Sequence, residues 1–308
     1  MALPDTLYHY CSLDTFLNIL KNRTLWLSDV GKSNDSQELK WLKAQCRIRI
    51  IKAQTEYLKL HSDDSDNLYD FDSMERINQI AEIVSRIDLY KSWAICFSEA
   101  RDSLSQWRGY ANDGAGVCIG FNRQYLDEFS HVFDNYETRF MLSMRKVDYS
   151  DDGIDQFFEN STTLNKFNQC QTADEMHDAL LSAIINTAKN AAYFKNPSFS
   201  EEKEWRLAFT DTVLGFNGFG FEKMPRTESG TFSRFVFQKV DCIASNNDIV
   251  THIELGLPEM ENAIDEIIIG PKARMSIDDM KICLILKGFL KGMNDTSIAI
   301  VKSSSSYR

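Results

Sequence analysis

Residues 93–121 read WAICFSEARDSLSQWRGYANDGAGVCIGF. The runs Trp93–Phe97 and Gly116–Phe121 are short, apolar and bordered by turn residues, which predicts two strands. Asn112-Asp113-Gly114 is a strong turn signal just ahead of the second run. Working outward, Leu7–Tyr10 reads as a strand. A helix follows it, with Ser12 as N-cap and Leu13, Phe16, Leu17 and Leu20 on one face. Leu25–Leu27 reads as a second strand, ending in a loop from Ser28 to Ser36. Helical periodicity fills Ser36 to Lys91, broken by a solvated acidic stretch from His61 to Asp72, and returns from Gln156 to Ala192. Beyond it Lys203–Thr210 and Arg234–Val240 read as strands, with a loop or hairpin tip over Leu214–Phe221. Ile264–Ile269 is an apolar strand halted by Gly270-Pro271. Ser276 opens a helix with Asp278 and Asp279 in its first turn, and Ile298–Val301 is a last strand.

Strands and helices do not alternate regularly, so a doubly wound parallel sheet is excluded. The pattern predicts one elaborated α+β domain over residues 1–308. Its core is a mixed or mostly antiparallel sheet, with helical insertions at about 36–91 and 155–193.

Hydrophobic residues at 43% supply a sizeable core and argue against disorder. The formal net charge of −11 works against non-specific attraction to nucleic acid or anionic membranes, without excluding a local basic site. The cysteines number seven, are not closely paired, and several lie inside apolar runs, so a reducing cytoplasm is the natural setting. The N-terminus lacks a signal-peptide pattern, and no apolar run approaches the roughly 18 residues a membrane span needs. These features predict a soluble cytoplasmic protein that does not use a membrane; they leave the oligomeric state open.

Three patches hold side chains suited to chemistry. On a strand, His9 would face away from Tyr8 and Tyr10; the histidine can bond a ribose hydroxyl and a tyrosine can stack on a flat ring. Its plainer role is a half-buried histidine bonded to a backbone carbonyl. Ser98, at a strand exit, is followed by Trp107, Arg108 and Tyr110, a set able to meet a nucleotide through hydroxyl, guanidinium and ring faces. The same segment also reads as a short helix with Trp107 and Tyr110 buried and Arg108 paired to Asp102 or Glu99. Glu202 and Glu204 are two apart and would share one face of a strand, where paired carboxylates raise each other's pKa unless solvated or put to use. A polar edge strand is the alternative. Asn34-Asp35 holds a turn, and Gly114-Ala-Gly116 lacks the lysine of a phosphate-binding loop. His61, His131, His177 and His252 are scattered without metal-ligand spacing, so no metal site is predicted.

Taken together, LYHYCSLDTFLNIL, LWLSD with the following ND, CFSE, SLSQWRGY, GVCIGF, EKEWRL and IDEIIIGPKA resemble a widespread bacterial family catalogued as domain of unknown function 2971. The likeness runs in order from residue 7 to about 275. More distantly, the order of His9 on a first strand, Ser98 ending a middle one and Glu204 opening a later one is similar to ADP-ribosyltransferases. Those enzymes bind NAD in a split, mostly antiparallel sheet. That resemblance implies NAD as substrate, with His9 on the adenine-side ribose and Tyr10 or Tyr110 stacked on nicotinamide. Ser98 would lie in the cleft and Arg108 would meet the pyrophosphate. Glu204 would hold the nicotinamide ribose and stabilise the cationic sugar, and Glu202 would orient the acceptor. The acceptor stays open between protein, nucleic acid and small molecule, and a toxin or phage-defence effector is the implied biological class. The long helical insertions depart from that pattern. Two other functions compete. One is a non-catalytic module that binds or senses a nucleotide. The other is a Mg²⁺-dependent nuclease using Glu201-Glu202-Lys203 as an acid-x-Lys pattern on a strand.

Overall fold

A computed structural model describes residues 3–33, 38–61, 82, 84–130, 141–150, 152–160, 173–212, 237–245, 247–257 and 259–307. Strand β1 (Thr6–Cys11) leads into α1 (Leu13–Asn22), and β2 (Thr24–Asp29) is followed by α2 (Glu38–His61). Then come β3 (Tyr90–Ser98), α3 (Leu104–Tyr110), β4 (Val117–Asn122), α4 (Arg123–Ser130) and β5 (Met141–Lys146). The second helical insertion holds α5 (Gly153–Glu159) and α6 (Ala173–Asn190); it is followed by β6 (Glu204–Thr212), β7 (Phe237–Ser245), β8 (Asp248–Gly256) and β9 (Ile264–Ile269). Helix α7 (Ile277–Leu286) and β10 (Ala299–Lys302) complete the order.

Local chemistry explains several boundaries. The Ser12 hydroxyl accepts from the Thr15 amide and starts α1, which ends at Arg23 in the left-handed region (φ 54°). Ser276 and Asp279 form a reciprocal capping box at α7, where the sequence placed a helix start. The turn before β4 carries three consecutive positive φ values, at Asn112, Asp113 and Gly114, residue types that tolerate this conformation best. Gly116 then passes so close to β1 that a Cβ there would lie 2.2 Å from the Cys11 carbonyl oxygen.

The described strands make one ten-stranded open sheet, ordered β10-β9-β4-β1-β3-β2-β8-β7, with β6 on β3 and β5 on β6. Only β9 and β10 run parallel; the remaining pairs are antiparallel, so the molecule is α+β with a mixed sheet. β3 is the pivot. One of its edges pairs with β6 along its whole length, Tyr90↔Thr212 to Ser98↔Glu204. Its other edge is shared: β2 takes Trp93 and Ala94, and β1 takes Ser98. Between these, at 95–97, β3 has no strand partner among the described residues on that edge, and the sheet forks.

The main core joins both arms of the fork through Leu7, Phe16, Leu25, Trp93, Phe97 and Leu207, with α7 contributing Met280 and Leu284. A second cluster unites the insertion helices, Leu42, Cys46 and Ile50 of α2 meeting Phe158 of α5 and Ile184 of α6. A smaller one, Tyr10, Trp107, Ala111, Cys118 and Ile268, secures α3 to the other face of the sheet.

Several expectations are corrected. The last portion of the 36–91 segment is not helical, because β3 already begins at Tyr90. Glu202 does not share a strand with Glu204: it closes a short 3-10 turn, Pro197–Glu202, and Lys203 adopts φ 46° before β6 starts. The acid-x-Lys pattern Glu201-Glu202-Lys203 therefore falls on a turn. β5 and β8 were not anticipated, and β7 continues five residues past the predicted end at Val240. Asn34-Asp35, the stretch 62–72, Leu214–Phe221 and the start of the Arg234–Val240 segment lie outside the described residues.

Candidate functional site

A cavity of about 70 Å³ opens at the fork, lined by Tyr8, His9, Tyr10, Cys96, Phe97, Gln106, Tyr110, Glu202 and Glu204. Five of the seven residues singled out from the sequence therefore meet here: His9, Tyr10, Tyr110, Glu202 and Glu204. The fork explains why His9 joins the tyrosines despite strand alternation. With β1 and β3 splayed apart, residues from both faces of β1 reach one space.

His9 Nδ1 lies 2.9 Å from the Cys96 carbonyl oxygen, in the stretch of β3 between its pairings with β2 and β1. A carbonyl can only accept, so Nδ1 carries the proton and Nε2 is left as an acceptor. Burial lowers the imidazole pKa, and the Cys96 bond only partly opposes that, so the ring is neutral near pH 7. The imidazole thus completes the hydrogen bonding of the fork while keeping one nitrogen for another partner.

The carboxylates are embedded in charge. Glu204 receives Nε of Arg206 at 2.8 Å and its NH2 at 2.9 Å, a two-pronged contact, and Lys195 Nζ at 3.1 Å. Arg206 lies two residues further along β6, on the same strand face, and also donates to the Ala192 carbonyl. Burial by itself would raise the Glu204 carboxyl, but the guanidinium and the ammonium outweigh it and hold the pKa at about 2. Lys195 also reaches Glu202 at 2.6 Å, and the Tyr110 hydroxyl donates to the other Glu202 oxygen at 2.9 Å. Burial and the Glu202 charge push the Tyr110 phenol upward, so it stays protonated and keeps donating. Two carboxylates and two cations thus form a buried group with no net charge.

Gln106 differs from its neighbours. It is 6% exposed, it lines the cavity, and its side-chain amide has no hydrogen-bond partner among the described residues. An amide with an unused donor and acceptor facing a small cavity is prepared to bond a ligand of the same kind.

The remaining candidates serve the frame. Ser98 is buried; its hydroxyl donates to the Glu202 carbonyl at 2.6 Å and accepts from the Ala100 amide, fixing the Glu202 turn to the end of β3. Tyr10 lines the cavity with its ring. Its hydroxyl is engaged with the Ala100 carbonyl and the Ser103 amide, and its ring makes an edge-to-face contact with Trp107, centroids 4.9 Å apart. Arg108 stands outside the lining, 5.6 Å over the Tyr307 ring, and pairs with neither Asp102 nor Glu99. Asp102 instead accepts from Trp107 Nε1 and from Ser303 and Ser304, holding the C-terminal strap against α3. Of the residues not singled out beforehand, Arg206 had a signal in its spacing from Glu204. Lys195 had none, because it arrives from a separate element; Gln106 stood inside SLSQWRGY, one helical turn before Tyr110, and its place on that helix face was the signal.

Residues 106–207 match the family described as Protein of unknown function (DUF2971). The matched segment contains Gln106, Tyr110, Lys195, Glu202, Glu204 and Arg206; His9 lies ahead of it. No curated protein and no solved structure matches the chain. Among the described residues no helix is long and apolar enough to cross a membrane.

Proposed function

We propose that the fork cavity binds the nicotinamide end of NAD and that the protein transfers ADP-ribose to an acceptor. The observation that carries this reading is the free Gln106 amide in the same small cavity as an ionised Glu204. The amide supplies one donor and one acceptor, the complement of a carboxamide. Tyr8, Phe97 and Tyr110 give the aromatic wall that a flat ring needs. Glu204, held ionised at every physiological pH, favours the positive charge that grows on the ribose as its bond to the nicotinamide nitrogen breaks. Nicotinamide would leave neutral, and the acceptor would form the new bond at the same carbon and release a proton. A space of about 70 Å³ is far below what a whole dinucleotide needs, so the pyrophosphate and adenosine would lie outside it.

Nicotinamide release from NAD is the test. The wild type should turn over, and Glu204→Gln, which keeps the shape, should fall by about 100-fold or more. Turnover that survives the substitution would sink the assignment.

A second reading, a nucleotide-sensing module without catalysis, draws on one specific observation. Both carboxylates are already satisfied by Lys195 and Arg206. In that case NAD or ADP-ribose would raise the melting temperature with no release of nicotinamide, and Glu204→Gln would alter binding alone.

A further inference from the structure

A larger cleft, of about 450 Å³, lies where β5 meets the second helical insertion. Its floor carries Arg145, half-buried on β5. One guanidinium nitrogen donates to Asn190 Oδ1 at 2.5 Å, and the carbon of the group stands 4.7 Å over the Tyr193 ring. Among the described residues no carboxylate lies within ion-pair distance of it. Lys146 beside it is already paired with Glu99 at 2.7 Å. A sheltered guanidinium with most of its five donors unused and no counter-charge is unusual, because partly burying a cation is costly without an anion.

The walls add polarity of a particular kind. Asn190 donates its amide to the Asn186 backbone and side-chain oxygens, at 2.7 and 3.0 Å, which leaves the Asn186 amide nitrogen unpaired among the described residues. Phe157 of α5 lines the cleft and makes edge-to-face contacts with Phe158 and Phe194. Asp148 accepts from the Ser150 amide and hydroxyl and so belongs to a turn at one side of the cleft. The volume falls within the range of small-molecule sites.

We propose that this cleft is a second ligand site, distinct from the fork cavity, that takes a nucleoside monophosphate. Arg145 receives the phosphate, for which a planar guanidinium is the fitting partner. The Asn186 amide nitrogen bonds the polar edge of the base, and the Phe157 ring packs against it. Asp148 suits a ribose hydroxyl, since a carboxylate repels phosphate but accepts from a sugar.

Titration calorimetry on the full chain tests this, with AMP, GMP, CMP, UMP and inorganic phosphate as probes. At least one mononucleotide should bind the wild type. Arg145→Gln and Asn186→Asp should each weaken that binding by tenfold or more, the second by placing a carboxylate in reach of Asn190 and the arginine. Glu204→Gln should leave it unchanged, which separates this site from the fork cavity. If Arg145→Gln loses its fold with its contact to Tyr193, Asn186→Asp decides alone. Three results overturn the proposal: no mononucleotide binding at millimolar concentration, equal affinity in the folded variants, or inorganic phosphate binding as tightly as the nucleotide.

Discussion

At the scale of the residue, the molecule turns on how Glu204 stays charged in a buried place. Its carboxyl titrates at about 2 in the folded protein, against 4.5 for an unperturbed glutamate. The folded form therefore binds the proton more weakly than the unfolded chain, so the stabilisation is fully present above about pH 4.5. It is lost as pH falls toward 2. The contribution is on the order of 3 kcal/mol. Denaturant melts from pH 6 down to pH 2 should show a loss in this window that Glu204→Gln lacks. The partner matters as much. Arg206→Met leaves Glu204 buried with Lys195 alone and should destabilise by about 3–5 kcal/mol. Combining it with Glu204→Leu removes the unpaired charge and should recover much of that loss in the same chemical melts. Side-chain types on one strand were legible from the sequence, so His9, Glu204 and, by spacing, Arg206 could be found. Lys195 could not, since its ammonium joins the carboxylates only after residues 191–203 fold back on β6.

At the scale of the element, close approach of backbones fixes the junction of β1, β4 and β9. Gly116 donates its amide to Ala111 at 2.8 Å and accepts from Gly270 at 3.0 Å, tying the end of α3, β4 and the exit of β9 together. An added methyl would also lie 2.9 Å from the Ala111 oxygen, with backbone on both sides and no flexible group to yield. Gly116→Ala should therefore cost about 3 kcal/mol or more, read from equilibrium unfolding. The sequence marked this turn through Asn112-Asp113-Gly114, and it marked β1, β3, β4 and β9 through their apolar runs. β5 and β8 went unread for a physical reason: MLSMRK ends in two cations, and DIVTHIELG leaves Ile249 exposed while burying His252 beside Ile253, so neither run shows a clean apolar–polar alternation. Glu202 was misplaced onto a strand because nothing in EEKEW announces the left-handed Lys203 that separates turn from strand. The cluster of His9, Tyr10 and Tyr110 with the carboxylates was foreseeable as a hypothesis. Gln106, the most informative member, was overlooked among more conspicuous neighbours.

At the scale of the whole molecule, sequence order and sheet order disagree. β1 pairs with β4 from Thr6↔Asn122 to Cys11↔Val117, β2 with β8 at Leu25↔Leu255, and β4 with β9 at Val117↔Ile269. Each pairing closes a loop of a hundred residues or more, so refolding from denaturant should be slow, on the order of seconds, when followed by tryptophan fluorescence after stopped-flow dilution. A millisecond single phase would contradict this account. The β4–β9 ladder also has a consequence for the growing chain. β4 ends at Asn122 and β9 begins at Ile264, so at the usual speed of translation roughly 7 to 30 s separate their emergence from the ribosome. During that interval the apolar run VCIGF has one edge without its native neighbour, which leaves that edge open to non-native pairing until β9 arrives.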